Sequence, residues 1–289
     1  MINVKSFYDE NTNTLTYVVY SLGSKDAIVI DSVLDFDQAS GKITDFSLQK
    51  VIQFLQTNDL KLHYILETHV HADHLTGAQV LKKYYPQAKI AISKKINIVQ
   101  QTFKDIFHLD EKFPTDGSQF DKLISDNENF FAGVISIKAL PTPGHTPACL
   151  SFFIDDCLFT GDALFMPDFG TGRCDFPAGS ATELYHSVHF GLYQLPDKTR
   201  VFVGHDYQPG GRELKFETTI GESKKNNKQL KQETSKDEFI NFRTQRDSVL
   251  ATPKLLYPSI QFNMNAGIMP KPEVNGKIFF KLPISMKLT

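Results

Sequence analysis

Within ten residues, Thr68 to Gly77 (THVHADHLTG), the chain places three histidines and an aspartate: His69, His71, Asp73 and His74. Imidazoles separated by single small residues suit a short loop after a strand, where several ring nitrogens can turn toward one point. Neutral imidazole combined with carboxylate is a donor set for zinc or non-haem iron. Three later positions extend the set: His145 in TPGHT, Asp162 in TGD and His205 in VFVGHDY. Each follows a glycine, which lets the backbone turn tightly or approach another segment closely. Alone, any of the three reads as a buried hydrogen-bonded residue. Together, at successive strand ends, they read as a metal site presented at one edge of a rigid scaffold.

The elements that must carry these loops follow from periodicity. Thr14 to Ser21 and Ala27 to Val33 are β-branched and aromatic, with Gly23 to Asp26 as the hairpin turn between them. Apolar residues at 48, 51, 52 and 55 mark a helix over Ser47 to Gln56, with Ser47 as its N-cap. LHYILET is a buried strand running into the histidine loop, and LTGAQVLKKYY after it is an amphipathic helix ended by Pro86. AKIAIS is a short strand, whereas Lys94 to Asn129 mixes helical and loop signals without a clear order. Val134 to Leu140 is a strand, and CLSFFID and CLFTGDAL form a hairpin through Asp155 and Asp156. A helix is expected over Ala181 to Leu195 and a strand over Thr199 to Tyr207. Glu213 to Leu250 is charged and helix-like, and the tail from Ala251 carries five prolines and reads as irregular. Strands in two batches with helices between and after them suggest two sheets face to face with helices outside, within an α/β or α+β class.

The 289 residues suffice for one large domain with an appendage, and 41% hydrophobic content can bury a substantial core. A net charge of −2 argues against nucleic acid or an anionic membrane as partner. No apolar run reaches the roughly 20 residues of a membrane span. MINVKSFYDE lacks the features of a secretory signal, and three cysteines without a disulfide spacing fit reduced thiols, so a cytoplasmic location is expected.

From Asn3 to Tyr207 the ordered ligand segments resemble the metallo-β-lactamase superfamily, whose αβ/βα sandwich holds one or two metals between its sheet edges. The resemblance implies a four-layer α+β fold over residues 1–212, with a helical and irregular extension over 213–289 packed on it. It also implies that His69, His71, Asp73, His74, His145, Asp162 and His205 form the metal constellation. Two branches fit. One resembles hydroxyacylglutathione hydrolase, in which two zinc ions activate water to attack a glutathione thioester. The other resembles the persulfide dioxygenases. In these, the equivalents of His69, His145 and Asp162 hold one Fe2+ as a two-histidine, one-carboxylate triad with open positions for substrate sulfur and O2. The pattern GDAL, GRCDF, LYHSV and HDY after Asp162 resembles the dioxygenases, apart from Cys174 where threonine is usual. The expectation is therefore a dioxygenase with one Fe2+ per chain, oxidising glutathione persulfide or a similar small thiol persulfide to sulfite. A zinc hydrolase is the alternative, and a homodimer is left open. His71, Asp73, His74 and His205 would then surround the triad, orienting ligands and water, or hold a second metal.

Five further residues are candidates for the pocket. Arg173 and Asp175 read as an ion pair that either shapes the pocket floor or pins a loop. Tyr207 reads as a hydrogen-bond donor near the open metal positions. Arg212 has the donor fork to anchor a glutathione carboxylate, against a plain solvated arginine. Cys174 reads as a sulfur relay or, more commonly, as an inert buried thiol. Asp31, ending VID, is expected to brace the metal loops by hydrogen bonds.

Overall fold

Alternating apolar residues open the chain as an antiparallel meander of β1 (Asn3–Asp9), β2 (Thr14–Tyr20) and β3 (Asp26–Ile30), with Tyr17 opposite Ile30. The computed structural model describes residues 1–286. A hairpin of β4 (Val33–Asp37) and β5 (Lys42–Thr44) leads into α1 (Phe46–Thr57), which returns the chain to β6 (Lys61–Leu66), parallel to β3. The short β7 (Leu75–Thr76) pairs with β4, and α2 (Ala78–Tyr84), β8 (Lys89–Ser93), α3 (Ile96–Ile106) and β9 (Lys122–Ile124) follow. The first sheet thus has the order β1-β2-β3-β6-β8-β9. The second half supplies β10 (Asn129–Ala132), β11 (Ile135–Pro141), β12 (Leu150–Ile154), β13 (Cys157–Phe159), α4 (Ala181–His186), β14 (Arg200–Phe202) and β15 (Glu217–Thr219). Its six strands lie in sequence order, all antiparallel except the β13–β14 pair. The chain then forms α5 (Ile220–Asn226), α6 (Lys236–Asp247) and α7 (Leu256–Asn263).

Period-two alternation assigns the faces. Leu15, Tyr17, Val19, Ile28 and Ile30 join Ile137, Phe152, Phe159 and Phe202 in a core between the sheets. Val18, Ala27 and Val29 face the other way, onto Leu48, Val51, Ile52 and Leu55 of α1 and Val99 and Phe103 of α3. With Leu184, Val188 and Leu192 backing the second sheet, the result is the four-layer αβ/βα sandwich. At about 1.5–3 kcal/mol per large apolar side chain, the four inward residues of α1 alone hold it to the sheet against its modest length.

The structure departs from the periodicity reading in several places, each for a physical reason. α1 starts at Phe46, and Ser47 lies inside its first turn. There Ser47 donates its N–H (3.0 Å) and hydroxyl (2.6 Å) to Asp35, so a carboxylate from β4 satisfies a first-turn donor that Ser47 was expected to cap. The stretch Lys94 to Asn129 resolves into α3, β9 and the start of β10. Helical structure over Ala181 to Gln194 is α-helical only to His186, with a π-helical turn over Ser187–Gly191 and a 3-10 turn over Leu192–Gln194. Of Thr199 to Tyr207 only Arg200–Phe202 is strand, and the charged region after Glu213 first adds β15 to the second sheet. The proline-rich tail contains α7, because Pro258 falls in its first turn, where no backbone N–H is needed.

Candidate metal centre

The ligand loops meet where the two sheets open toward each other. Leu15 donates to the Gly204 carbonyl (2.9 Å), tying β2 of one sheet to the His205 loop of the other. Gly161, at φ +49°, lets the Asp162 loop lie against the histidine loop: a Cβ there would sit 2.5 Å from the Thr68 hydroxyl oxygen. Gly161→Ala should therefore lower stability by strain as well as by contact, read as a lower urea midpoint than wild type.

The imidazoles of His69, His74, His145 and His205 are each oriented through Nδ1. The Thr68 hydroxyl donates to Asp31 (2.8 Å), so its oxygen accepts from Nδ1 of His69 at 2.9 Å. His145 donates from Nδ1 to the Arg173 carbonyl (2.7 Å), and His205 to the Asn13 carbonyl (3.2 Å). Nδ1 of His74 donates to Asp73 at 3.0 Å. Fixing Nδ1 as the protonated nitrogen leaves each Nε2 with an inward lone pair, the tautomer a metal ligand needs.

The inward atoms then crowd acceptor against acceptor. Ligand atoms of His69, His145 and Asp162 lie within 4.8 Å of one another. Nε2 of His145 is 3.5 Å from one Asp162 oxygen, and Nε2 of His205 is 3.3 Å from the other and 3.7 Å from Asp73. Nε2 of His69 and of His74 and Oδ1 of Asp162 are buried without a hydrogen-bond partner. Unpartnered buried acceptors are costly, and a cation at their centre would satisfy them together. This donor set fits a metal ion. Burial and the neighbouring imidazoles His71 and His145 hold the pKa of His69 well below the usual histidine range, which keeps its lone pair available.

His71 is placed differently. Its Nε2 lies 3.0 Å from Asp31 and 3.5 Å from Glu67, both buried. Burial opposes charge on this ring, but Asp31 and Glu67 outweigh it and raise its pKa well above the usual histidine value. Burial likewise opposes ionisation of Asp31, and His71 with the Thr68 donors outweighs it, lowering the Asp31 pKa. In the metal-free protein the raised His71 contributes stability fully below its unfolded pKa of about 6.5 and loses it as pH rises through the folded value. The lowered Asp31 contributes above about pH 4 and loses it as pH falls through its folded value. The stability difference between wild type and His71→Asn should thus be largest between about pH 4 and 6.5 and shrink on either side, as read from urea midpoints.

The other expected residues fall around this centre. Arg173 and Asp175 form a two-bonded ion pair at 2.6 and 2.7 Å, and Arg173 also donates to the Ala251 carbonyl (2.8 Å), tying the tail down. Arg212 pairs with Asp168 and Asp206, so its donor fork faces protein carboxylates. Tyr207 stacks on Phe169 at 4.5 Å and beside His205 at 5.5 Å, with its side chain facing the cleft. Cys174 is buried, with burial pushing its thiol up, and its backbone N–H donates to Asp247. Asp31 braces the histidine loop through Thr68, as expected. Thr14, Glu67 and Thr68 were not anticipated. The adjacency Glu67-Thr68-His69 at a strand end was the available signal, although Asp31, the partner of Thr68, lies 37 residues away.

An open cleft of about 1220 Å³ leads to Asp162, His145 and His205, walled on one side by Phe165 and Tyr207 and on another by Leu250 to Leu255. The Metallo-beta-lactamase superfamily profile matches residues 10–205. The chain belongs to the metallo-β-lactamase superfamily. It is 46% identical over 283 residues to glyoxylase B2 of Dictyostelium discoideum, covering 98% of this chain and 97% of that one. Persulfide dioxygenase ETHE1 of Bos taurus is 29% identical over 93% of this chain and 90% of its own length. The crystal structure of ETHE1 from Myxococcus xanthus superposes with a TM-score of 0.73 at 28% identity, covering 92% of this chain and all of that one. The superfamily assignment makes the protein a metal-dependent enzyme. Among the described residues no helix is long and apolar enough to cross a membrane.

Proposed function

We propose that the protein is a persulfide dioxygenase with one Fe2+ held by His69, His145 and Asp162, oxidising glutathione persulfide or a similar small thiol persulfide. Balanced, the reaction is RSSH + O2 + H2O giving RSH + sulfite + 2 H+, with the terminal sulfur losing four electrons to O2. The observation that carries this reading is the trio itself: ligand atoms of His69, His145 and Asp162, two histidines and one carboxylate, lie within 4.8 Å of one another. Ferrous iron on such a trio keeps coordination positions for both a thiolate sulfur and O2.

The remaining residues orient and enclose. Thr68, Arg173 and Asn13 hold the three imidazoles in their ligand tautomers through the contacts described above. Phe165 and Phe169 line the approach with apolar surface that excludes water, and Tyr207 presents a phenol to the cleft. Tyr207→Phe should lower kcat by about tenfold, the worth of one hydrogen bond, with KM little changed. Purified protein should carry one iron per chain and consume O2 only when persulfide is supplied.

A second reading has its own support. Asp73, His74 and His205 lie beside Asp162, and the relative at 46% identity is named glyoxylase B2. Two tightly held zinc ions, cleavage of glutathione thioesters and no O2 uptake would overturn the first reading in favour of this dinuclear hydrolase.

A further inference from the structure

The segment NMNAG, residues 263–267, closes α7 and lies directly against the histidine loop, although it is some 190 residues away in sequence. Asn263, itself 5% exposed, makes three hydrogen bonds there. Its amide nitrogen donates to the carbonyls of His71 (2.8 Å) and His74 (2.7 Å), and its oxygen accepts from the Thr76 N–H (2.8 Å). Two acceptors and one donor admit a single orientation of the amide, so the side chain is fully specified. The neighbouring backbone is seated as well. Gln79 donates to the Ala266 carbonyl and Gln100 to the Met264 carbonyl, each at 2.9 Å. Gly267, at φ +76°, allows the turn, and a Cβ there would meet Thr76 at 3.1 Å.

One NH2 group gripping carbonyls three residues apart sets the curvature of the loop between them. That loop contains Ala72 and Asp73 and ends on His74. Among the described residues, the side chains of Asp73 and His74 are otherwise tied to distant segments through the Thr14 hydroxyl, which donates to Asp73 at 2.9 Å, and through Nε2 of His205, 3.7 Å from Asp73. We infer that Asn263 is a positioning residue for the metal centre: its amide holds the His71–His74 turn in the one shape that aims Asp73 and His74 at the ligands of His69, His145 and Asp162. The inference rests on the metal reading of the site, and it holds for one metal or two.

The test is Co2+ titration of the chelated full-length protein, with affinity and the visible ligand-field spectrum as readouts. Asn263→Ala removes all three bonds. The isosteric Asn263→Asp keeps the acceptor for Thr76 but sets a carboxylate oxygen against two carbonyls. Both should weaken Co2+ binding by about 10–100-fold and shift the spectrum. The control is Phe262→Leu, which trims the adjacent buried ring of α7 and leaves the Asn263 amide in place. It should lower the urea midpoint yet leave affinity and spectrum as in wild type. Wild-type Co2+ binding by both Asn263 variants would overturn the proposal. So would a Phe262→Leu loss of affinity equal to that of Asn263→Ala at matched stability. If Asn263→Ala does not fold, Asn263→Asp carries the same comparison. Wild type that binds Co2+ but, loaded with iron, takes up no O2 with persulfide sinks the dioxygenase reading and leaves this one standing. Wild type that binds no Co2+ overturns both.

Discussion

Asp162→Asn is expected to abolish persulfide-dependent O2 uptake while leaving the metal-free protein as stable as wild type, or more so. The two effects have opposite signs because one residue serves the site and not the fold. Asp162 is 9% exposed, and its Oδ1 has no hydrogen-bond partner although Nε2 of His205 lies 3.3 Å away. In the metal-free state this leaves a buried carboxylate oxygen unpaired, which is costly. Asparagine keeps the volume, removes the charge and offers one NH2 group as a donor to the Nε2 lone pair of either His145 or His205, which face different oxygens of Asp162. What it cannot do is supply the anionic ligand. Loss of an oriented outer partner of a metal ligand costs on the order of 10–100-fold, so loss of the sole carboxylate ligand should exceed that. Iron content per chain, O2 consumption and the unfolding midpoint of chelated protein together check the prediction. A chelated variant that unfolds far earlier than wild type would make Asp162 a structural residue and remove the basis of the assignment.

What could be read in the sequence, and what could not, divides along the range of the interactions. The ligands were legible because their chemistry restricts residue type locally: HxHxDH after a strand, then glycine-histidine, glycine-aspartate and glycine-histidine at three later strand ends. The sheets were legible because their strands are runs of β-branched and aromatic residues set off by turns, as in Thr14 to Ser21. Pairings across the chain were not. Nothing near His71 announces that Asp31, forty residues earlier, will take its Nε2. Arg212 has the right shape to bind a substrate carboxylate, but Asp168 and Asp206 reach it first. The π-helical turn after His186 likewise has no sequence signature, since a uniform apolar period describes it equally well. The proline count of the tail misled about α7, where position within the turn mattered and frequency did not.

The largest stability effect should come from a residue outside the ligand set. Arg243→Met is expected to destabilise the protein by about 3–5 kcal/mol, the range for breaking a buried ion pair from one side. Arg243 is 1% exposed and holds Asp247 through contacts of 2.6 to 3.1 Å. Its other nitrogen reaches the Gln229 side chain at 2.9 Å and the Thr171 carbonyl at 3.3 Å. Methionine fills much the same space but leaves the Asp247 carboxylate, 6% exposed, without its cation. The variant should therefore show a lower urea midpoint with an unchanged slope. Adding Asp247→Leu removes the stranded charge and should recover much of the loss, because replacing both buried partners by apolar groups is often neutral. Recovery should stop short of full at the active site. Asp247 also accepts the Cys174 N–H at 2.8 Å, and the loop it steadies presents the Arg173 carbonyl that orients His145. Gly172 within the same loop donates to the Asp162 carbonyl at 3.1 Å. The double variant should consequently regain stability while metal affinity stays about 10–100-fold down, the range for lost outer partners of a ligand. If urea midpoint and metal affinity recover together, α6 is holding the fold alone. If only the midpoint recovers, the buried pair and the metal centre are joined through Cys174 and Arg173.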